Sequence, residues 1–137
     1  MAKCYQSSTT FPSVKRRTVE ANFDGGNVSS DAGALLLRQI DEHLGLTTKI
    51  ARLMNDKRRG GSCDHSYRDL LRQRVYGLCL GYEDLNDHTS LRRDFLLQTA
   101  VGRDTELASA PTLCRFENAL GREDCVAIQK VIVEEFI

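Results

Sequence analysis

The residues best equipped for chemistry crowd one corner of the chain: Glu83, Asp84, Asn86, Asp87 and His88, with Asp94 just beyond. Carboxylates and an imidazole are the donors that hold divalent cations or move protons. Their spacing matches no ligand frame, however. Asp and Asn also belong at turns and helix caps for local hydrogen-bonding reasons. A structural corner is therefore expected here, with no metal. Cys63 and His65 form a Cys-x-His pair with no second pair at zinc-finger distance, so no zinc is expected either. No Ser or Cys is singled out beside a base, and no glycine loop leads into Lys-Ser/Thr, which argues against nucleophilic catalysis and nucleotide hydrolysis.

These groups must be positioned by helices. Residues 70–80 form the most apolar helical run, ending at Gly81, where the polar corner begins. Asp64 or Ser66 is expected to cap this helix. Tyr67, Leu71, Val75, Leu78 and Tyr82 fall on one side, with Arg68 and Arg72 on the flank. Upstream, residues 19–23 alternate enough for one short strand, and Asp24-Gly25-Gly26-Asn27 supplies turn chemistry. Ser29, Ser30 or Asp31 is then expected to cap a helix running to about His43. In it Ala34, Leu35, Leu37, Ile40 and Leu44 face inward, while Arg38, Asp41 and Glu42 face out. Gly45 stops it. A short helix comes next, with Ile50, Leu53 and Met54 inward, and residues 55–64 read as a loop.

Beyond the corner, residues 90–101 are expected to form one helix with Leu91, Phe95 and Leu96 packed. Ser109 and Pro111 open another, with Leu113, Phe116 and Leu120 inward and Gly121 as its stop. Residues 124–137 make a last helix carrying Val126, Ile128, Val131, Ile132, Val133 and Phe136. The expected organisation is a flexible, basic, Ser/Thr-rich arm at residues 1–18, then a helical region at 19–137. The fold class is mainly α, a multi-helix domain with one short N-terminal β-strand.

The 137 residues carry no net charge, but 13 basic and 8 acidic residues precede Gly81 and 6 basic and 11 acidic residues follow from it. The basic part suits a polyanion. Lys15, Arg16 and Arg17 end the arm, and Lys57, Arg58 and Arg59 sit in the loop. On the helix opened by Ser109, Thr112, Arg115 and Asn118 lie on the exposed face, and Arg and Asn are suited to base edges. A plain packed helix pair is the stronger reading there, because Glu106, Glu117, Glu123 and Asp124 would repel phosphates. Five widely spaced cysteines without a Cys-x-x-Cys pair, and the lack of a signal core or membrane-length apolar run, point to a cytoplasmic protein and no membrane partner.

Three blocks, in order, resemble the amino-terminal region of bacterial insertion-sequence transposases with a group 1 DDE domain. They are FDGGNVSSDAGALLLRQID (residues 23–41), LLRQRVYGLCLGYEDLNDHTSLRRD (70–94) and LASAPTLCRFENALG (107–121). The resemblance implies a ribonuclease-H-like catalytic core beyond this region. There, three carboxylates hold two magnesium ions for in-line attack on phosphodiesters. The chain stops at Glu134-Glu135-Phe136-Ile137, before the strand that carries the first of those Asp residues. A truncated chain is therefore expected, with no catalytic residue and no cofactor of its own. The implied role is transposon-end DNA binding and assembly, through Lys15, Arg16, Arg17, Lys57, Arg58, Arg59, Arg68, Arg72, Thr112, Arg115 and Asn118. Its partners would be DNA and a like chain or the missing core. The alternative is a non-catalytic protein–protein module, or the inert relic of a disrupted gene.

Overall fold

Helix α3 (Tyr67–Cys79) sits between two apolar clusters. The structure, a computed structural model, describes residues 8–22, 31–58 and 63–137. The start of α3 is fixed locally. Ser66 Oγ accepts from the Asp69 N–H at 3.1 Å and the Asp69 carboxylate accepts from the Ser66 N–H at 3.2 Å, a reciprocal capping box. Leu70 and Leu71 pack with Ile50, Met54, Tyr67, Leu113, Phe116 and Val131. Tyr76 packs with Ala34, Leu91, Leu97, Ala100, Val101 and Leu107. Fully burying a leucine such as Leu70, Leu97 or Leu113 is worth about 1.5–3 kcal/mol, so both clusters anchor on α3.

The other helices wrap around it: α1 (Gly33–Leu44), α2 (Leu46–Leu53), α4 (His88–Leu91), α5 (Phe95–Val101), α6 (Ala110–Ala119) and α7 (Arg122–Phe136), with a 3₁₀ turn at Leu85–Asp87. Helix α2 packs against α3 and α7, and α5 against α1 and α3. Gly45 ends α1 at φ 69° with its N–H on the Asp41 carbonyl, a left-handed stop that favours glycine. The mainly α class with a short N-terminal β element is what the structure shows.

Several details differ from the expectations drawn from sequence, each for a physical reason. Residues 9–18 do not form an irregular arm: strands β1 (Thr9–Val14) and β2 (Arg17–Ala21) pair antiparallel, Phe11 opposite Val19. Val14 and Val19 close onto Leu35, so the hairpin has an apolar anchor in α1. Residues 1–7, the turn at Asp24 to Asn27, the caps Ser29 and Ser30, and Arg59 lie outside the described residues. Helix α1 begins without a side-chain cap. Its inward face also differs: Arg38 and Asp41 are buried, while Ile40 is 56% exposed. The polar pair is drawn in by partners on other elements, which a hydrophobic stripe does not reveal.

The expected 90–101 helix is broken in two. Asp94 Oδ1 accepts from the Leu97 N–H at 2.7 Å, which starts α5 afresh after α4. Phe95 is exposed rather than packed, with the Arg17 guanidinium 4.0 Å above its ring. On α7 only Val131 is fully buried; Val126, Ile132, Val133 and Phe136 are exposed.

Candidate nucleic-acid interface

The acidic corner is architecture. Asp84 Oδ1 accepts from the Asn86 N–H at 2.8 Å and opens the 3₁₀ turn, and Asp94 caps α5. His88 is fully buried against Gly77, where an added Cβ would lie 2.9 Å from His88 Cε1. Glycine is thus what lets the corner close onto α3. Among the described residues, no three His, Cys, Asp or Glu side chains are grouped to hold a metal ion.

Gln73 ties this corner to the connector before α6. Its Nε2 donates to the Ala108 carbonyl at 2.9 Å and faces His88 Nδ1 at 3.2 Å, while its Oε1 accepts from the Ala108 N–H at 2.9 Å. His88 Nδ1 is therefore the acceptor and the proton sits on Nε2, which finds no partner among the described residues. Burial, with Arg74 nearby, pushes His88 below its ordinary value of 6.5, against the pull of Asp87 and Glu117. The unfolded chain then binds the proton more readily than the folded one. Stability is expected to be intact above pH 6.5 and to fall as pH drops below it, by at most about 1.4 kcal/mol per pH unit for this one group. Urea midpoints for the wild type and His88→Gln at neutral and mildly acidic pH check this, the wild type losing more on acidification.

Helices α1, α2 and α3 are joined by a second buried network. Asp41 Oδ1 accepts from the Thr47 N–H at 2.8 Å, and Oδ2 accepts from Thr47 Oγ1 at 2.5 Å, Tyr76 Oη at 2.9 Å and Arg72 Nε at 3.1 Å. Burial would raise the Asp41 carboxyl, but the bonds from Thr47 and Tyr76 and the Arg72 charge outweigh it and hold it below the ordinary range. Burial, reinforced by Asp41, pushes the Tyr76 phenol up. Arg72 is 5% exposed, so it holds the fold together and has no surface to offer a phosphate. That removes it from the set of contacts expected from the sequence.

The remaining cations gather around the amino end of α3. On one side is the hairpin turn, Lys15 and Arg16, where Lys15 adopts φ 51°. Lys15 pairs with Asp104 at 2.7 Å, and Arg17 donates to the carbonyls of Arg103 and Asp104 at 3.3 and 2.9 Å. Arg103 in turn donates to the Asp64 carbonyl at 2.9 Å and to Asp69 at 3.1 Å, linking the hairpin to the first turn of α3. Arg68 stands exposed on that turn.

On the other side, residues 55–58, Tyr67, α6 and the start of α7 frame an open groove. Its larger part, about 670 Å³, is lined by Lys57, Arg58, Tyr67 and Arg122, among others, with Glu123 and Asp124 on its rim. A smaller part, about 240 Å³, continues past Arg58 and Tyr67 to Thr112, Arg115 and Phe116. Arg58 Cζ lies 4.3 Å from the centroid of the Tyr67 ring, over its face, and the guanidinium fork grips Asp56 at 2.8 and 2.6 Å. That hydrogen-bonded pair raises Arg58 and lowers Asp56.

The fold thus brings Lys57 and Arg58 together with Thr112 and Arg115, from two distant stretches of the chain. Asn118 is exposed one turn further along α6, where its Nδ2 donates to Cys114 Sγ at 3.3 Å. Arg122 was not expected at the groove, because only tertiary packing brings the first residue of α7 to it. Arg16, Lys57, Arg68, Arg115 and Arg122 have no ion pair among the described residues. Helices α5 and α6 each pack on α3. No helix among the described residues is long and apolar enough to cross a membrane.

A family model described as transposase DDE domain, group 1, matches residues 11–137. No curated protein and no solved structure matches the chain.

Proposed function

Because the chain belongs to the group 1 transposase DDE domain family, we propose that these residues form the amino-terminal DNA-binding and assembly region of an insertion-sequence transposase. The reading is supported above all by the cations drawn from four segments to one end of α3: the hairpin turn, residues 57–58, α6 and the start of α7. Guanidinium and ammonium groups at a protein surface displace condensed counterions from a phosphate backbone. The proposed contacts are Lys15, Arg16, Arg17, Lys57, Arg58, Arg68, Thr112, Arg115 and Asn118, together with Arg122. Strand cleavage is assigned to none of them.

Assembly is the second half of the reading. Val126, Ile132, Val133 and Phe136 are exposed along α7, a grouping of apolar side chains that suits a partner surface.

Fluorescence anisotropy with labelled duplex DNA tests the first half. Affinity is expected to fall steeply between low and physiological salt, and each true phosphate contact removed is expected to lower the log–log slope by about 0.9. The pair Arg16→Ala with Arg68→Ala is therefore expected to flatten the slope by about 2. Absence of measurable binding at low salt would take DNA out of the reading.

A further inference from the structure

We propose that the groove between residues 55–58 and α6 receives an unpaired stretch of DNA, with one base stacked on the outer face of the Arg58 guanidinium. This rests on the DNA-binding reading and names the form of DNA that this part of the surface takes.

The shape comes first. At about 670 Å³ the main part of the groove lies in the range of sites that enclose small-molecule-sized groups. It admits a nucleotide or two. A double helix instead meets protein elements that protrude into its own grooves. The smaller extension runs on between Arg58 and Arg115, so a strand can follow the floor.

The chemistry fits the same occupant. Unpaired bases are held by stacking on aromatic rings or guanidinium planes, with cations beside the backbone. Tyr67 is buried and cannot take a base directly, but its ring carries Arg58 at 4.3 Å. The Asp56 fork fixes the plane, and the Arg58 side chain stays 30% exposed. The result is a preset plate rather than a swinging cation. Lys57, Arg115 and Arg122 surround it at positions suited to phosphates. Of the two acids on the rim, Asp124 is turned to the Gly121 N–H at 2.8 Å.

The test compares a blunt duplex with the same duplex bearing a short oligothymidine tail, at either end polarity, using the intact chain. The tailed probe is expected to bind roughly tenfold more tightly, the scale of one stacked base. Arg58→Lys keeps the charge but not the plane, so the ratio between the probes should drop to unity. Arg16→Ala, on the hairpin, should weaken both probes and leave the ratio intact. A wild-type ratio of unity with firm duplex binding overturns the groove proposal while leaving the DNA reading standing. So does a ratio that survives Arg58→Lys. If neither probe binds, it is the DNA reading that falls, and this inference with it.

Discussion

Replacing Arg72 with alanine is expected to cost the fold about 3–5 kcal/mol, because it leaves a charge buried without its partner. Arg72 and Asp41 side chains are each 6% exposed, and the guanidinium also reaches Thr47 Oγ1 at 3.1 Å and the Val101 carbonyl at 3.4 Å. Without it, Asp41 loses the only cation paired to it among the described residues and must either stay charged in a dry site or take up a proton. A domain of this size has about 5–15 kcal/mol in total, so the variant sits near the edge of folding. Urea unfolding followed by circular dichroism measures the loss. A loss below about 1 kcal/mol, the scale of an exposed pair, would show that water reaches Asp41 freely. Replacing both partners by apolar side chains should recover part of the loss, since such swaps are often neutral. Recovery is incomplete because the Thr47 and Tyr76 hydroxyls still need an acceptor.

Gln73→Leu is the second large effect, at roughly 3 kcal/mol or more. The leucine fills similar space but leaves the Ala108 N–H, the Ala108 carbonyl and His88 Nδ1 without the partner each now has. Each buried group left unpaired costs about 1–3 kcal/mol. The damage is directed as well as large. Ala108 lies in the connector that sets where α6 begins, and α6 carries Thr112 and Arg115 into the groove. Amide exchange should show the Ala108 N–H losing its protection before the middle of α3 does. Uniform loss across both would instead mean that the connector has no independent opening, and that Gln73 acts only on global stability.

Both variants fall at residues whose place in the fold is invisible in sequence. Features decided within a few residues were legible in advance. Ser66 caps α3, Gly45 stops α1, Pro111 lies in the first turn of α6, and Leu113 and Phe116 turn inward. The central place of residues 70–80 followed from their apolar run, and the capping duties of Asp84 and Asp94 followed from what Asp does near backbone N–H groups. The three family blocks were also readable, and the family match over residues 11–137 agrees with them.

The faces of α1 and α3 were not legible. Arg38, Asp41, Arg72 and Gln73 look like surface residues, and each is buried by partners on another element: Arg38 by the Thr99 carbonyl at 2.6 Å, Gln73 by Ala108 at 2.9 Å. A hydrophobic stripe records only how a segment meets water or oil. It holds no information about a polar partner that arrives from dozens of residues away. The same limit hid the hairpin, whose strands are held by closing onto Leu35, and it hid Arg122 at the groove. Local caps, stops and apolar spacing determined the helices of this protein. The pairing of distant polar groups, which only a folded chain brings within hydrogen-bonding range, decided which faces close and which cations share a surface.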